Sequence, residues 1–459
     1  MKMRAAFLVV GSLFLLSPPA WSAQPPIKIK LTLSESIKQA LDHNLDIRIA
    51  EIQLEEMESK VAQSEASFKP KLNLDLAPAT WAGKLDSLHY EPQAGLTASL
   101  LTERGTTYSL ALEQEQGEDE RINTSLSFIL TQKILPFPRV DSSYLALKKS
   151  LLSSEQERLT LEDERNSLKL EVTVGFYDIL KQQKEIELKG LYLDQAREDL
   201  LIVKDKFENQ SASDLDLLSA QVEVANAEEA ILQGEDDLFQ YSGEFKDLLG
   251  IDSEAQIELI GESHPEPEPL ELNLGDAVKE ALANRLEIKR QKLTANQSEL
   301  DLALAKSKRS PSLNLSGGYS YTELEDDKEE DEYEASLIFQ IPLVDGGESK
   351  AEIEEAKSRL KETNLNLEKL KRDTRAEVRS CFLDLEQKLR KIELLRLSQN
   401  WSKKDFEIAR RRLSGGDITQ SDLREKEIGF KEAQIDYLDG VLDYETARST
   451  FLKSLGRKL

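Results

Sequence analysis

Residues 339–349 read FQIPLVDGGES, and the fold turns on how that stretch is read. An apolar run (Phe339, Ile341, Leu343, Val344) carries Pro342 in its middle and ends in Asp345-Gly346-Gly347. Beyond it no proline occurs up to Leu459. Proline has no N–H to give to a ladder, so Pro342 belongs at a strand end or on an edge strand. Asp-Gly-Gly is turn chemistry, or a cap for a helix starting just after it. A strand therefore stops here and a very long helix starts.

Downstream, Ile353, Ala356, Leu360, Leu367, Leu370, Val378, Phe382, Leu385, Leu389 and Ile392 step mostly by three, four or seven, with charged residues between them. That is a coiled-coil-like seam with at least one wet face. Upstream the period changes. Leu313, Leu315, Tyr319 and Tyr321 alternate with small or polar residues, and Leu337, Phe339 and Ile341 do the same. Alternation over about ten residues is the pattern of a membrane-barrel strand. Between the two runs lies ELEDDKEEDE (323–332), read as a solvated loop.

The pattern occurs twice. Residues 31–74 align without gaps to 272–315 with 13 identities in 44 positions, including Pro70/Pro311 and the LNL after each. Later matches (Phe176/Phe382, Leu249-Gly250/Leu455-Gly456) fall at an offset smaller by 35, so the first copy carries extra residues in its strand region. Its apolar runs lie at 72–76, 95–101, 106–113 and 122–131, and the surplus makes an extra hairpin or longer loops. The expected division is a signal peptide at 1–23, a first repeat at 24–262, a Pro/Glu-rich linker at 263–271 and a second repeat at 272–459. The first repeat holds a helix 32–68, a β region 70–135 and long helices 139–250. The second holds a helix 273–309, a β region 311–343 and long helices 346–456.

Composition narrows the function classes. The signal segment has a basic start (Lys2, Arg4) and an apolar stretch too short to span a bilayer, so the mature chain is expected to be exported. A net charge of −26 argues against nucleic acid as a partner. Cys381 is the only cysteine, read as a small buried hydrophobe. No later stretch has the 18 or more apolar residues of a membrane helix, so any crossing must use strands. Two strands per repeat make four per chain. Barrels need about eight or more, so one chain cannot close and three chains with twelve strands can. From Arg139 to Phe207 a continuous helix would reach about 100 Å, a rod that a globular domain of this mass does not need.

These residues resemble the TolC-like outer-membrane efflux protein family. The resemblance rests on the paired L-x-L-x-x-(A/S)-(I/V)-x-x-A-L openings at Leu31 and Leu272 and the P-x-L-x-L strand starts at Pro70 and Pro311. IPLVDGG at 341–347 and DLLSAQ at 216–221 complete it. Departures are KILPFPRV (133–140), where a Gly-containing motif is expected, and DLREKE (422–427) in place of the second DLLSAQ. The resemblance implies an α+β membrane protein: a homotrimeric twelve-stranded β-barrel in outer-membrane lipid, continued by an α-helical periplasmic tunnel. It implies a periplasmic adaptor and an inner-membrane transporter as partners, and passive export of substrate. Pro342, Asp345, Gly346 and Gly347 then form the barrel-to-tunnel turn.

Matching the family motif through Gly416 places Asp422 and Glu425 where family members carry acids at the closed periplasmic aperture. Asp216 is the first-repeat counterpart of Asp422, with Asp214 beside it and Asp417 in the second turn. Three copies around an axis would make an acidic ring, which favours cations and repels itself. The alternative is that these acids cap helix N-termini. No catalytic set is expected, and no cofactor. His43, His89 and His264 have no ligand spacing with one another or with Cys381, so no metal is expected either. The competing class is a soluble periplasmic coiled-coil adaptor or scaffold, which accounts for the helices and the acidity but not for the alternating strands.

Overall fold

The computed structural model describes residues 28–77, 81–84, 87–90, 92–116, 122–135, 142–260, 272–324 and 328–457. The signal segment, the 263–271 linker and Pro136 and Pro138 lie outside them.

Each repeat opens with a short helix and a longer one: α1 (Leu33–His43) and α2 (Leu45–Ala66), then α5 (Leu274–Asn284) and α6 (Leu286–Arg309). The single helices expected over 32–68 and 273–309 are thus each two helices. The break falls at Asn44 and at Arg285, both with extended ψ near 130°. The Asn44 carboxamide accepts from the N–H groups of Asp46 and Ile47, starting α2, and donates to the Leu248 carbonyl at 3.1 Å. Thr32 opens α1 with a capping box closed by Glu35.

The long helices are α3 (Ser142–Glu208) and α7 (Glu348–Gly415), of 67 and 68 residues and so about 100 Å each. Each turns back through α4 (Asp214–Leu249) or α8 (Gln420–Ser454). Nearest the strands, α2, α3, α6 and α7 lie side by side, and at the far end the row is α4, α3, α8, α7. Helix α3 therefore touches the second repeat along its length, meeting α6 above and α8 below. The returning helices end where the short ones break. Gly250 and Gly456, both left-handed (φ 64° and 75°), press against the breaks. A Cβ on Gly250 would sit 2.5 Å from the His43 carbonyl oxygen, and one on Gly456 would sit 2.7 Å from that of Asn284.

Apolar packing concentrates at these two levels. One cluster joins Ala40, Ile47, Val172, Phe176, Phe245 and Leu249; the other joins Ala277, Ala281, Val378, Tyr444, Phe451 and Leu455. Cys381 is half-buried against the second, and burial pushes its thiol up from the ordinary value. Strands β1 (Lys28–Leu31) and β8 (Gln256–Leu259) pair in parallel beside the first cluster.

The main sheet is antiparallel. It is built from β2 (Lys71–Ala77), β5 (Gln93–Leu101), β6 (Thr106–Gln116), β7 (Ile122–Leu135), β9 (Ser312–Leu324) and β10 (Lys328–Gln340), in the order β10-β9-β7-β6-β5-β2. A separate hairpin, β3 (Trp81–Lys84) and β4 (Ser87–Tyr90), lies between β2 and β5 in sequence. The sheet holds six strands per chain where two per repeat were expected to make four. The surplus residues of the first repeat supply β5 and β6, joined by Thr102–Gly105. The 323–332 stretch is also mostly strand: Glu323 pairs with Glu329, and Tyr321 with Asp331.

Candidate functional site

Register places most of the apolar side chains of the six strands on one face, with Ile129 and Ile338 as exceptions on the other. Leu74 lies opposite Leu96, Leu96 opposite Leu112, Leu112 opposite Leu126, Phe128 opposite Tyr319 and Tyr319 opposite Tyr333. Leu72, Leu74 and Leu76 are about two-thirds exposed, and Leu110, Phe128, Leu337 and Phe339 are exposed as well. The opposite face carries Asp75, Gln93, Thr97, Glu113, Glu115, Asn123, Ser125 and Thr322, which line a concave polar cavity of about 580 Å³. A face so apolar and so exposed needs a non-aqueous neighbour or a partner.

At the sheet–helix junction, β10 ends at Gln340. Ile341–Val344 leave the ladder, and Leu343 and Val344 are exposed. Gly346 and Gly347 take left-handed φ values of 67° and 95°. The Asp345 carboxylate accepts from the Gly347 and Ser349 N–H groups at 3.0 and 3.1 Å, which starts α7. The hydrogen bonds to Ser349 and Gly347 hold its carboxyl below the usual aspartate range.

At the far end the two turns are built alike. Asp422 Oδ2 accepts from the Thr419 N–H (2.8 Å) and hydroxyl (2.7 Å), while the Thr419 hydroxyl accepts from the Asp422 N–H (3.1 Å). Asp216 and Ser213 repeat the arrangement at 2.8, 2.8 and 3.2 Å. Bonds to the backbone and hydroxyl of these caps hold both carboxyls below their ordinary values. Each acid is therefore turned back onto its own helix terminus and remains exposed. Asp214 lies in the first turn of α4, Asp417 in the α7–α8 turn, and Glu425 pairs with Lys426 at 3.5 Å. Gly416 turns the chain at φ 80°, and in the other hairpin Gln210 does so at φ 57°.

Sequence reading missed a polar seam between α3 and α8. Arg424, with a mostly buried side chain, reaches Glu198 Oε1 at 3.0 Å and Asp194 Oδ2 at 3.5 Å. Higher up, the Tyr192 hydroxyl donates to Glu432, and Lys181 pairs with Asp439 at 2.7 Å. Burial and the Glu432 carboxylate push the Tyr192 phenol up to about 12. Near the top, Lys453 donates to the Ser167 hydroxyl at 2.6 Å. The one local signal for the seam is DLREKE itself, where Arg424 stands at the position that Leu218 holds in DLLSAQ. The Nε of Arg424 is buried and unpaired among the described residues, and the guanidinium is held through its terminal nitrogens by Glu198 and Asp194.

Among the described residues no group of His, Cys, Asp or Glu could hold a metal ion, and no helix is long and apolar enough to cross a membrane. Curated proteins offer no sequence match. Solved structures do resemble the fold. The Campylobacter jejuni CmeC outer membrane channel shares 15% identity at a TM-score of 0.67, covering 92% of this chain and 85% of that one. The Vibrio cholerae outer membrane protein VceC (15%, 0.65, 93% and 96%) and the open Neisseria gonorrhoeae MtrE outer membrane channel (16%, 0.62, 93% and 89%) are similar. The outer membrane efflux protein family matches residues 36–250 and 277–457, one segment in each repeat. With its two-faced sheet running into paired long helices, the chain belongs to the outer membrane efflux protein family.

Proposed function

We propose that three copies of this chain form a passive conduit across the outer membrane, which receives substrate from a periplasmic adaptor and an inner-membrane transporter. The observation that carries this reading is the sheet. Its leucine-rich face suits lipid, its polar face suits a water-filled lumen, and the strands continue into rods about 100 Å long. Edge helices α4 and α7 supply the assembly surfaces. Leu215, Leu218, Leu232 and Phe239 on one, and Leu383, Leu394, Leu397 and Trp401 on the other, form exposed apolar stripes that a neighbouring copy would cover. Cations are favoured in transit, because Asp422, Glu425, Asp216, Asp214 and Asp417 gather at the far end and repeat threefold.

The gate in this reading is the α7–α8 hairpin, latched to α3 through Arg424. A polar latch suits a moving part, since it exposes no core when it opens. Single-channel recording on the purified mature protein tests the proposal. Small, cation-selective steps are expected, growing several-fold in Arg424→Ala and losing selectivity in Asp422→Ala with Glu425→Ala. Folded protein that never inserts into a bilayer would overturn it.

A further inference from the structure

Six strands per chain set the size of the whole assembly. We propose that the barrel holds eighteen strands, with β2 of one copy paired to β10 of the next. This rests on the three-copy conduit of the proposed function, but the strand number is independent of how that conduit is gated.

Four observations support it. First, β5 and β6 are continuous with the wall: nine residue pairs run from Gln93↔Glu115 to Leu101↔Thr107, and β6 pairs with β7 over eleven more. Second, their alternation is in phase with the other four strands, so Ala98, Leu110 and Phe128 share the apolar face. A hairpin folded into the lumen would gain nothing from an apolar face, and one standing in water would be destabilised by it. Third, six is even, so β2 and β10 run in opposite directions. Successive copies then meet antiparallel, as an up-and-down barrel requires, and the open edges that lipid forbids disappear. Fourth, the widths agree. Six strands 4.7–4.9 Å apart and tilted 35–45° cover about 38 Å of circumference, and four helices at 8–10 Å cover about 32–40 Å. Four strands would cover about 25 Å.

The eighteen-stranded wall is about 36 Å across between backbones, against about 24 Å for twelve strands. Asp75, Glu113, Glu115 and Glu334 fall on its inner face, since each alternates with the apolar set. The outlet therefore suits a bulky solute, excluded by size only above porin dimensions.

Electron cryomicroscopy of the mature protein in lipid nanodiscs decides the matter, with strands counted at the level of Leu96, Leu110 and Phe128. Eighteen strands in one closed wall are expected. Twelve, with β5 and β6 outside the wall, would overturn the inference and leave the conduit standing; particles with no closed barrel would overturn both. A second variant replaces residues 78–121 with a short Asn-Gly turn, joining β2 directly to β7. The diameter of the largest polymer admitted from the outer side is expected to fall by about one third. An unchanged cut-off would count against β5 and β6 as wall strands.

Discussion

At the scale of single residues, the chain changes state where one carboxylate meets two left-handed glycines. Asp345 holds the start of α7 through backbone N–H groups, and Gly346 and Gly347 supply the φ values that turn the chain toward it. Gly346→Val forces a β-branched residue into that region, at a cost of about 1–2 kcal/mol, and thermal denaturation should show it. The tip acids make a pH prediction. Folding lowers the proton affinity of Asp216 and Asp422, so their contribution is present above the ordinary aspartate value and is lost as pH falls through the lower folded one. Amide protection at the first turns of α4 and α8, taken relative to the intrinsic exchange rate at each pH, should therefore fall below about pH 4. In Asp422→Asn the α8 turn should lose that dependence while α4 keeps it. Arg424→Lys should behave in conductance more like Arg424→Ala than like the parent, since an ammonium cannot span two carboxylates as a guanidinium does.

At the scale of elements, period and punctuation made much of the fold legible. Proline-free stretches with three-and-four spacing marked α3, α4, α7 and α8, and alternating or apolar runs marked part of each of the six strands of the main sheet. The breaks at Asn44 and Arg285 were not legible. HNLD and NRLE contain neither proline nor glycine, and the helix stops there because a distant one, α4 or α8, delivers a backbone against it. Only the recurrence of Leu-Gly at 249–250 and 455–456 hinted at a shared role. Gly250→Ala should be destabilising by about 1–3 kcal/mol from the left-handed φ alone, with the His43 carbonyl adding to it. Phe451→Ala, at a fully buried position, should cost about 3–5 kcal/mol in chemical denaturation. The polar seam escaped for a different reason. Arg424 and Glu198 lie 226 positions apart, and although DLREKE sets Arg424 where the other hairpin has Leu218, nothing local to either names its partner.

At the scale of the molecule, the duplication is complete in its helices and unequal in its strands: the first repeat gives four to the main sheet and the second gives two. Assembly depends on edges that a single chain leaves bare. Leu397→Glu on the exposed α7 stripe should shift purified protein from trimer toward monomer in analytical ultracentrifugation, with little change in monomer helicity.

The feature with the longest reach in time is the contact between Lys453 and Ser167, 286 positions apart, echoed by β1 pairing with β8 and β7 with β9. Pairings this remote wait on loop closure and form slowly. The sheet cannot join β7 to β9 until the second repeat has been delivered, and the second core cannot close until Phe451 and Leu455 arrive. During that interval the leucines of β2 and β6 have neither lipid nor neighbour. The first core needs only residues of the first repeat, so that half can pack early, and the arrival of Phe451 and Leu455 completes the second.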